Sequence, residues 1–136
     1  MANLQLEVVT PEKVLVSQAV DMVVAPGSVG EFGVLEGHAA FLTGIVPGEL
    51  RFTAGSEARS FAVTTGFAEV SNNRVSVLVD AAEEATQIDL ERARRAMERA
   101  RERLARERGG EDVDFQRAEA ALKRAIARIK VAEKSK

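Results

Sequence analysis

Eight arginines fall between Arg92 and Arg108, the densest charge cluster in the chain. A guanidinium presents a planar fork of donors that fits phosphate and carboxylate oxygens two at a time, which a lysine ammonium does not. Glutamates intervene at helical spacings: Glu91 to Arg95, Glu98 to Arg101 and Glu102 to Arg106. The cluster therefore has two readings. It is either a solvated helix laced by weak ion pairs, each worth about 0.2–0.5 kcal/mol, or a surface that recognises anions. Duplex nucleic acid is the generic anion, and it predicts steeply salt-dependent binding. It fits less well here, because the whole chain has a formal charge of −2 and no aromatic residue interleaves the arginines to stack on bases.

Other reactive groups are scarce. His38 is the one histidine and there is no cysteine, so histidine clusters for metals, thiolate chemistry and disulfides are all excluded. His38 stands in a glycine-rich stretch and reads as a surface or hydrogen-bonded loop residue. No serine lies in a nucleophile-elbow setting. The run Gly27-Ser28-Val29-Gly30 lacks the lysine and following helix of a phosphate-cradling loop. Acidic residues are dispersed, without an evident catalytic pair. The chain is not expected to be an enzyme by itself.

Two grammars position these groups. Leu4, Leu6 and Val8 alternate with polar residues, a period of two that marks a strand. Short apolar runs follow, punctuated by glycines as far as Gly66, and Asn72-Asn73 is a hairpin-turn signal. About eight to ten strands are expected, enough for two packed antiparallel sheets. Near Asp80 the pattern changes to strong helix formers. Ala93, Met97, Ala100 and Leu104 recur at steps of four and three. Phe115, Ala118, Leu122, Ala125, Ile129 and Ala132 repeat the pattern after Gly109-Gly110. Asp89 and Asp114 suit helix starts and Gly109 a helix end. The expected fold is thus an N-terminal antiparallel β-sandwich over residues 1–84 and a C-terminal antiparallel α-helical hairpin over residues 85–136. The stripes are narrow and alanine-rich, so the hairpin should be weakly docked, with more than one resting position.

Charge divides the same way. Residues 1–80 carry four Lys/Arg against nine Asp/Glu, net −5; residues 81–136 carry fifteen against twelve, net +3. Met1-Ala2-Asn3 leads directly into alternating residues, with no signal-peptide pattern expected. The uncharged stretch from Gly37 to Gly48 is too short and broken to span a bilayer, so any membrane connection should run through a partner.

The segment from Gly30-Glu31-Phe32-Gly33-Val34 through Gly37-His38 to Thr43 resembles the glycine-rich segment of bacterial F-type ATP synthase epsilon subunits, and the resemblance covers essentially the whole chain. Glu36 and Ala40 stand where that family often has proline. The resemblance implies a rotor subunit of the central stalk that links the gamma subunit to the c-ring, with the loop bearing Glu31 and His38 facing the ring. It implies a hairpin that moves between a folded position and one extended along gamma. Extended, the hairpin reaches the beta subunits and obstructs ATP hydrolysis. It places the protein peripherally on the cytoplasmic side of the cell membrane. Ile88-Asp89-Leu90-Glu91-Arg92-Ala93 is similar to the Ile/Leu-Asp-x-x-Arg-Ala motif that binds ATP in several family members. Glu83, Ile88, Asp89, Arg92, Ala93, Arg99, Arg124 and Arg128 are then the implied ATP contacts. ATP would be a regulatory ligand favouring the compact hairpin, with Mg²⁺ as an optional companion and no cofactor required. A free-standing ATP-sensing module is the alternative.

Overall fold

A computed structural model of the chain describes residues 3–106 and 112–134, the side chains of 112–114 excepted. Ten strands come first: β1 (Leu4–Val9), β2 (Val14–Val20), β3 (Met22–Gly27), β4 (Gly30–Val34), β5 (Phe41–Ile45), β6 (Gly48–Ala54), β7 (Glu57–Val63), β8 (Gly66–Ser71), β9 (Arg74–Val79) and β10 (Ala82–Glu84). A 3-10 turn, Ala85–Gln87, leads to α1 (Leu90–Arg106) and α2 (Asp112–Lys134).

The strands form two layers. One runs β4-β3-β6-β7-β10 and the other β5-β8-β9-β1-β2. A single pairing of Gly27 with Ile45 stitches them together. At the far side Asp21 N donates to Thr53 O at 2.7 Å, bringing the end of β2 back to β6. Alternate residues point into the space between the layers, and Leu6, Val8, Val23, Leu50, Phe52 and Phe61 are fully buried there. The sandwich departs from the all-antiparallel expectation at one place: β1 and β9 are parallel, with Leu6 opposite Val75. The hairpin to β2 sets the direction of β1, and β9 arrives some 65 residues later as the second arm of the β8–β9 hairpin, with no turn joining it directly to β1. Asn72 and Asn73 adopt φ of 50° and 58° in the β8–β9 turn, as the mirror-image turn of a tight hairpin requires.

Asp89 caps α1. Its Oδ1 accepts from Arg92 N at 3.1 Å, and its carbonyl from Ala93 N at 3.0 Å. The second expected cap is corrected: α2 already begins at Asp112, so Asp114 lies inside its first turn. The expected stop at Gly109 lies outside the described residues. Ala93, Ala100, Ala118, Ala125 and Ala132 are buried along the helix seam. Phe115 is instead 38% exposed. It lies about 24 Å along α2 from Val131, the residue through which α2 meets the sheet.

The hairpin docks on the outside of the β6–β7–β10 layer. Ala62, Ala85, Ile88, Ala93, Val131 and Ala132 make a small second core there. Three ion pairs clasp it: Arg94–Glu133 at 3.3 Å joins the two helices, Arg128–Glu83 at 3.0 Å joins α2 to β10, and Lys134–Glu49 at 2.8 Å joins α2 to β6. Among the described residues no helix is long and apolar enough to cross a membrane.

Candidate functional site

Helical geometry places four arginines around one cleft. On α1 the spacing Arg92, Ala96, Arg99, Arg103 is that of a single helix face. On α2, Arg124 and Arg128 share a face with Ala121 and Ala125. Where these faces and the end of the β-layer converge there is a cavity of about 470 Å³. Its floor is alanine: Ala96, Ala100, Ala121 and Ala125. Its rim is charged, with Arg99 and Arg103 from α1, Arg124 and Arg128 from α2, and Glu83 from β10. The small floor residues create the volume, since a larger side chain at any of them would project into it.

Glu83 accepts from Arg128 Nε at 3.0 Å. Among the described residues, Arg99, Arg103 and Arg124 have no carboxylate within ion-pair distance. Among the described residues, one face of the cleft thus holds three guanidiniums without an ion-pair partner over an alanine floor. Like charges so placed repel unless an anion sits among them, and an apolar surround strengthens the attraction to one.

Of the eight residues the resemblance implied, Glu83, Arg99, Arg124 and Arg128 line this cleft. The other four do not. Ile88 and Ala93 are core residues, 6% and 0% exposed, and Asp89 is occupied as a cap. Arg92 is exposed on the arginine face, one turn before Ala96. Arg103 and the cleft wall at Thr64 and Ala81 were not anticipated. The spacing of four from Arg99 to Arg103 was the available signal. The expected surface pairs are mixed: Glu98–Arg101 forms at 3.5 Å, whereas Glu91 pairs with Arg94 at 3.6 Å and not with Arg95.

Glu31 and His38 sit at opposite ends of β4. Glu31 lies beside the β3–β4 turn and accepts from Arg51 at 3.2 Å. His38 follows the strand: its N–H donates to Leu35 O at 3.1 Å and its ring stands 6.1 Å from that of Phe41. Both are exposed.

A second cleft, about 320 Å³, lies where the end of α2 meets β6 and β7. Its charges are compensated. Arg51 stands between Glu31 and Glu49, and Arg59 holds Glu84 through two bonds of 2.9 and 3.0 Å while covering the rings of Phe52 and Phe61. The Arg59 hydrogen bond holds the Glu84 carboxyl below the usual glutamate range, against the opposing effect of burial. For Glu49 burial pushes upward. Hydrogen bonds from Lys134 and Ser60, with the charges of Lys134 and Arg51, outweigh it and the net shift is down. Among the described residues no three His, Cys, Asp or Glu side chains converge as metal ligands would.

Comparison with known proteins returns two family models. One, the ATP synthase Delta/Epsilon chain beta-sandwich domain, matches residues 3–85; the other, the ATP synthase Delta/Epsilon chain long alpha-helix domain, matches residues 86–133. An ATP synthase epsilon chain from Syntrophobacter fumaroxidans is 52% identical over 133 residues, 98% of each chain. One from Desulforamulus reducens is 50% identical over 134 residues, 98% of this chain and 100% of that one. Two solved structures share the fold. A chain of the Euglena gracilis mitochondrial ATP synthase OSCP/F1/c-ring assembly has a TM-score of 0.81 at 24% identity, covering 93% of this chain and 79% of that one. A chain of the Tetrahymena thermophila mitochondrial ATP synthase central stalk and c-ring has a TM-score of 0.63 at 17% identity, covering 98% and 96%.

Proposed function

Because the chain belongs to the ATP synthase delta/epsilon chain family, we propose that it serves as a non-catalytic subunit of the central stalk, whose helical hairpin senses ATP and restrains ATP hydrolysis. The observation that carries the sensing half is the cleft itself: with the hairpin folded against the sandwich, arginines from both helices face Glu83, an arrangement that an extended hairpin would take apart. ATP bound there would tie α1, α2 and β10 together and favour the compact state. A ligand that binds one state alone, at ten times its Kd, contributes about 1.4 kcal/mol, a tenfold change in population. That suffices as a switch when the two hairpin states are nearly balanced, a condition that the narrow alanine seam favours. Mg²⁺ would accompany the nucleotide through its phosphates, Glu83 being the one carboxylate among the described residues that line the cleft.

In this reading the sandwich contacts gamma and the c-ring, with Glu31 and His38 on the ring-facing side. The extended hairpin reaches the beta subunits, and the subunit is held at the cytoplasmic face of the cell membrane by those partners. No nucleic-acid role is proposed.

Three measurements test it. The purified chain should copurify with gamma, and deleting residues 89–136 should raise ATPase activity of the assembled complex. Calorimetry should show ATP binding that Arg99→Ala, at the cleft, weakens while the sandwich stays folded; Arg92→Ala tests whether the motif residue outside the cleft lining also contributes. Unchanged hydrolysis on deletion would remove the inhibitory role, and failure to join gamma would leave a free-standing nucleotide sensor.

A further inference from the structure

Four charges of alternating sign run from the β3–β4 turn to the end of α2. Glu49 and Arg51 stand two apart on β6 and point away from the core, because Leu50 and Phe52 point into it. Arg51 Nη1 donates to Glu31 Oε2 at 3.2 Å and to Glu49 Oε1 at 3.5 Å. Lys134 Nζ donates to the same Glu49 Oε1 at 2.8 Å. One nitrogen is thus shared by two carboxylates, and one oxygen by two cations. The carboxylate at the outer end is open to solvent, Glu31 being 57% exposed against 15% for Glu49.

We propose that Glu31, Arg51, Glu49 and Lys134 form an ion-pair relay, through which a cationic group of a partner that takes Glu31 loosens the end of α2 from the sandwich. The sharing sets the sign. While Glu31 holds part of Arg51, Glu49 is left chiefly to Lys134. When an outside ammonium or guanidinium claims Glu31, Arg51 turns to Glu49. There it competes for Oε1 and, no longer balanced by Glu31, repels Lys134. Linkage gives the converse: when α2 departs, Glu49 draws Arg51 to itself and frees Glu31 to meet a cation. The Arg128–Glu83 pair takes no part, so loosening begins at the Lys134 end. The relay needs only the docked hairpin, and it stands or falls apart from nucleotide binding at the arginine cleft.

The test is amide hydrogen exchange on the full chain, read at the last two turns of α2. Glu31→Gln removes the outer charge, as a partner's cation would, and alters no residue of α2. It should speed exchange there by about two- to threefold, the scale of a partly exposed ion pair, with strand exchange unchanged. In an Arg51→Met background, and equally in a Lys134→Met background, Glu31→Gln should have no effect, because the chain of contacts is already cut. If Arg51→Met disturbs the strands, the Lys134→Met comparison decides. An unchanged or slower rate on Glu31→Gln in the otherwise unmodified chain would overturn the relay. So would an acceleration of the same size in the Arg51→Met or Lys134→Met chain, since the charge at Glu31 would then reach α2 by another route.

Discussion

Glu83 of β10 and Arg128 of α2 lie 45 positions apart in the chain and meet at 3.0 Å, the contact that closes the arginine cleft against the sandwich. Glu84, the next residue, faces the other way and grips Arg59. Adjacent carboxylates on one short strand thus reach in two directions, Glu83 to α2 and Glu84 to Arg59 of β7.

Breaking the first grip should loosen the hairpin without disturbing the sandwich. The Arg128 and Glu83 side chains are 28% and 37% exposed, so solvent screens the pair and about 0.5–1 kcal/mol is expected. Glu83→Gln should speed amide hydrogen exchange in the last turns of α2 by a few-fold, with β-strand exchange unchanged. Exchange identical to that of the unmodified chain would mean the pair contributes nothing to docking.

Asp89 serves two possible masters, the helix end and a nucleotide, and two substitutions separate them. Asp89→Ala removes the acceptor for Arg92 N and should cost about 1 kcal/mol of α1 stability. Asp89→Asn keeps a good capping oxygen. If Asp89→Asn lowers ATP affinity while α1 melts normally, the carboxylate acts on the ligand. If both variants affect binding only in proportion to helix loss, its role is the cap alone.

Acid should release the second grip. The Arg59 hydrogen bond holds the Glu84 carboxyl below its ordinary value. A carboxylate with a depressed folded-state pKa contributes stability that is fully present above the unfolded value, about 4.3 for glutamate, and is lost as pH falls through the folded value. Denaturation midpoints should therefore drop below about pH 4.3, and Glu84→Gln should flatten that limb while lowering stability at neutral pH. Parallel acid limbs in the two proteins would rule out a contribution from this pair.

Gly66 tests the packing of the second layer. A Cβ at this position would collide with the Leu78 carbonyl oxygen and lie 2.7 Å from Val79 Cα. Both are backbone, so neither can swing aside. Gly66→Ala should destabilise the sandwich by at least about 1–3 kcal/mol, visible as a lower thermal midpoint. A midpoint within error of the unmodified chain would show that β8 and β9 can part there freely.

Much of the architecture was legible because it rests on local physics. The period of two in Leu4, Leu6 and Val8, the Asn72-Asn73 turn, and the step of three and four from Ala93 to Ala132 each reflect how side chains project from one element. The Asp89 cap was equally local. The parallel β1–β9 pair was not, since nothing near Leu6 reports that Val75 will lie beside it. The stripe also misplaced Phe115, because periodicity names a face but not how far along the helix that face stays covered.

By itself, the sequence determined two units of different periodicity and charge, a capped arginine-rich helix, and membership in a family through residues spread over the whole chain. Tertiary structure alone decided which arginines face one another, that Arg103 joins Arg99, Arg124 and Arg128, and that Glu83 rather than Glu84 looks into their cleft. Those choices depend on helix register and on which face of β10 meets α2. Both are set by packing between segments distant in the chain, where local propensity carries no information.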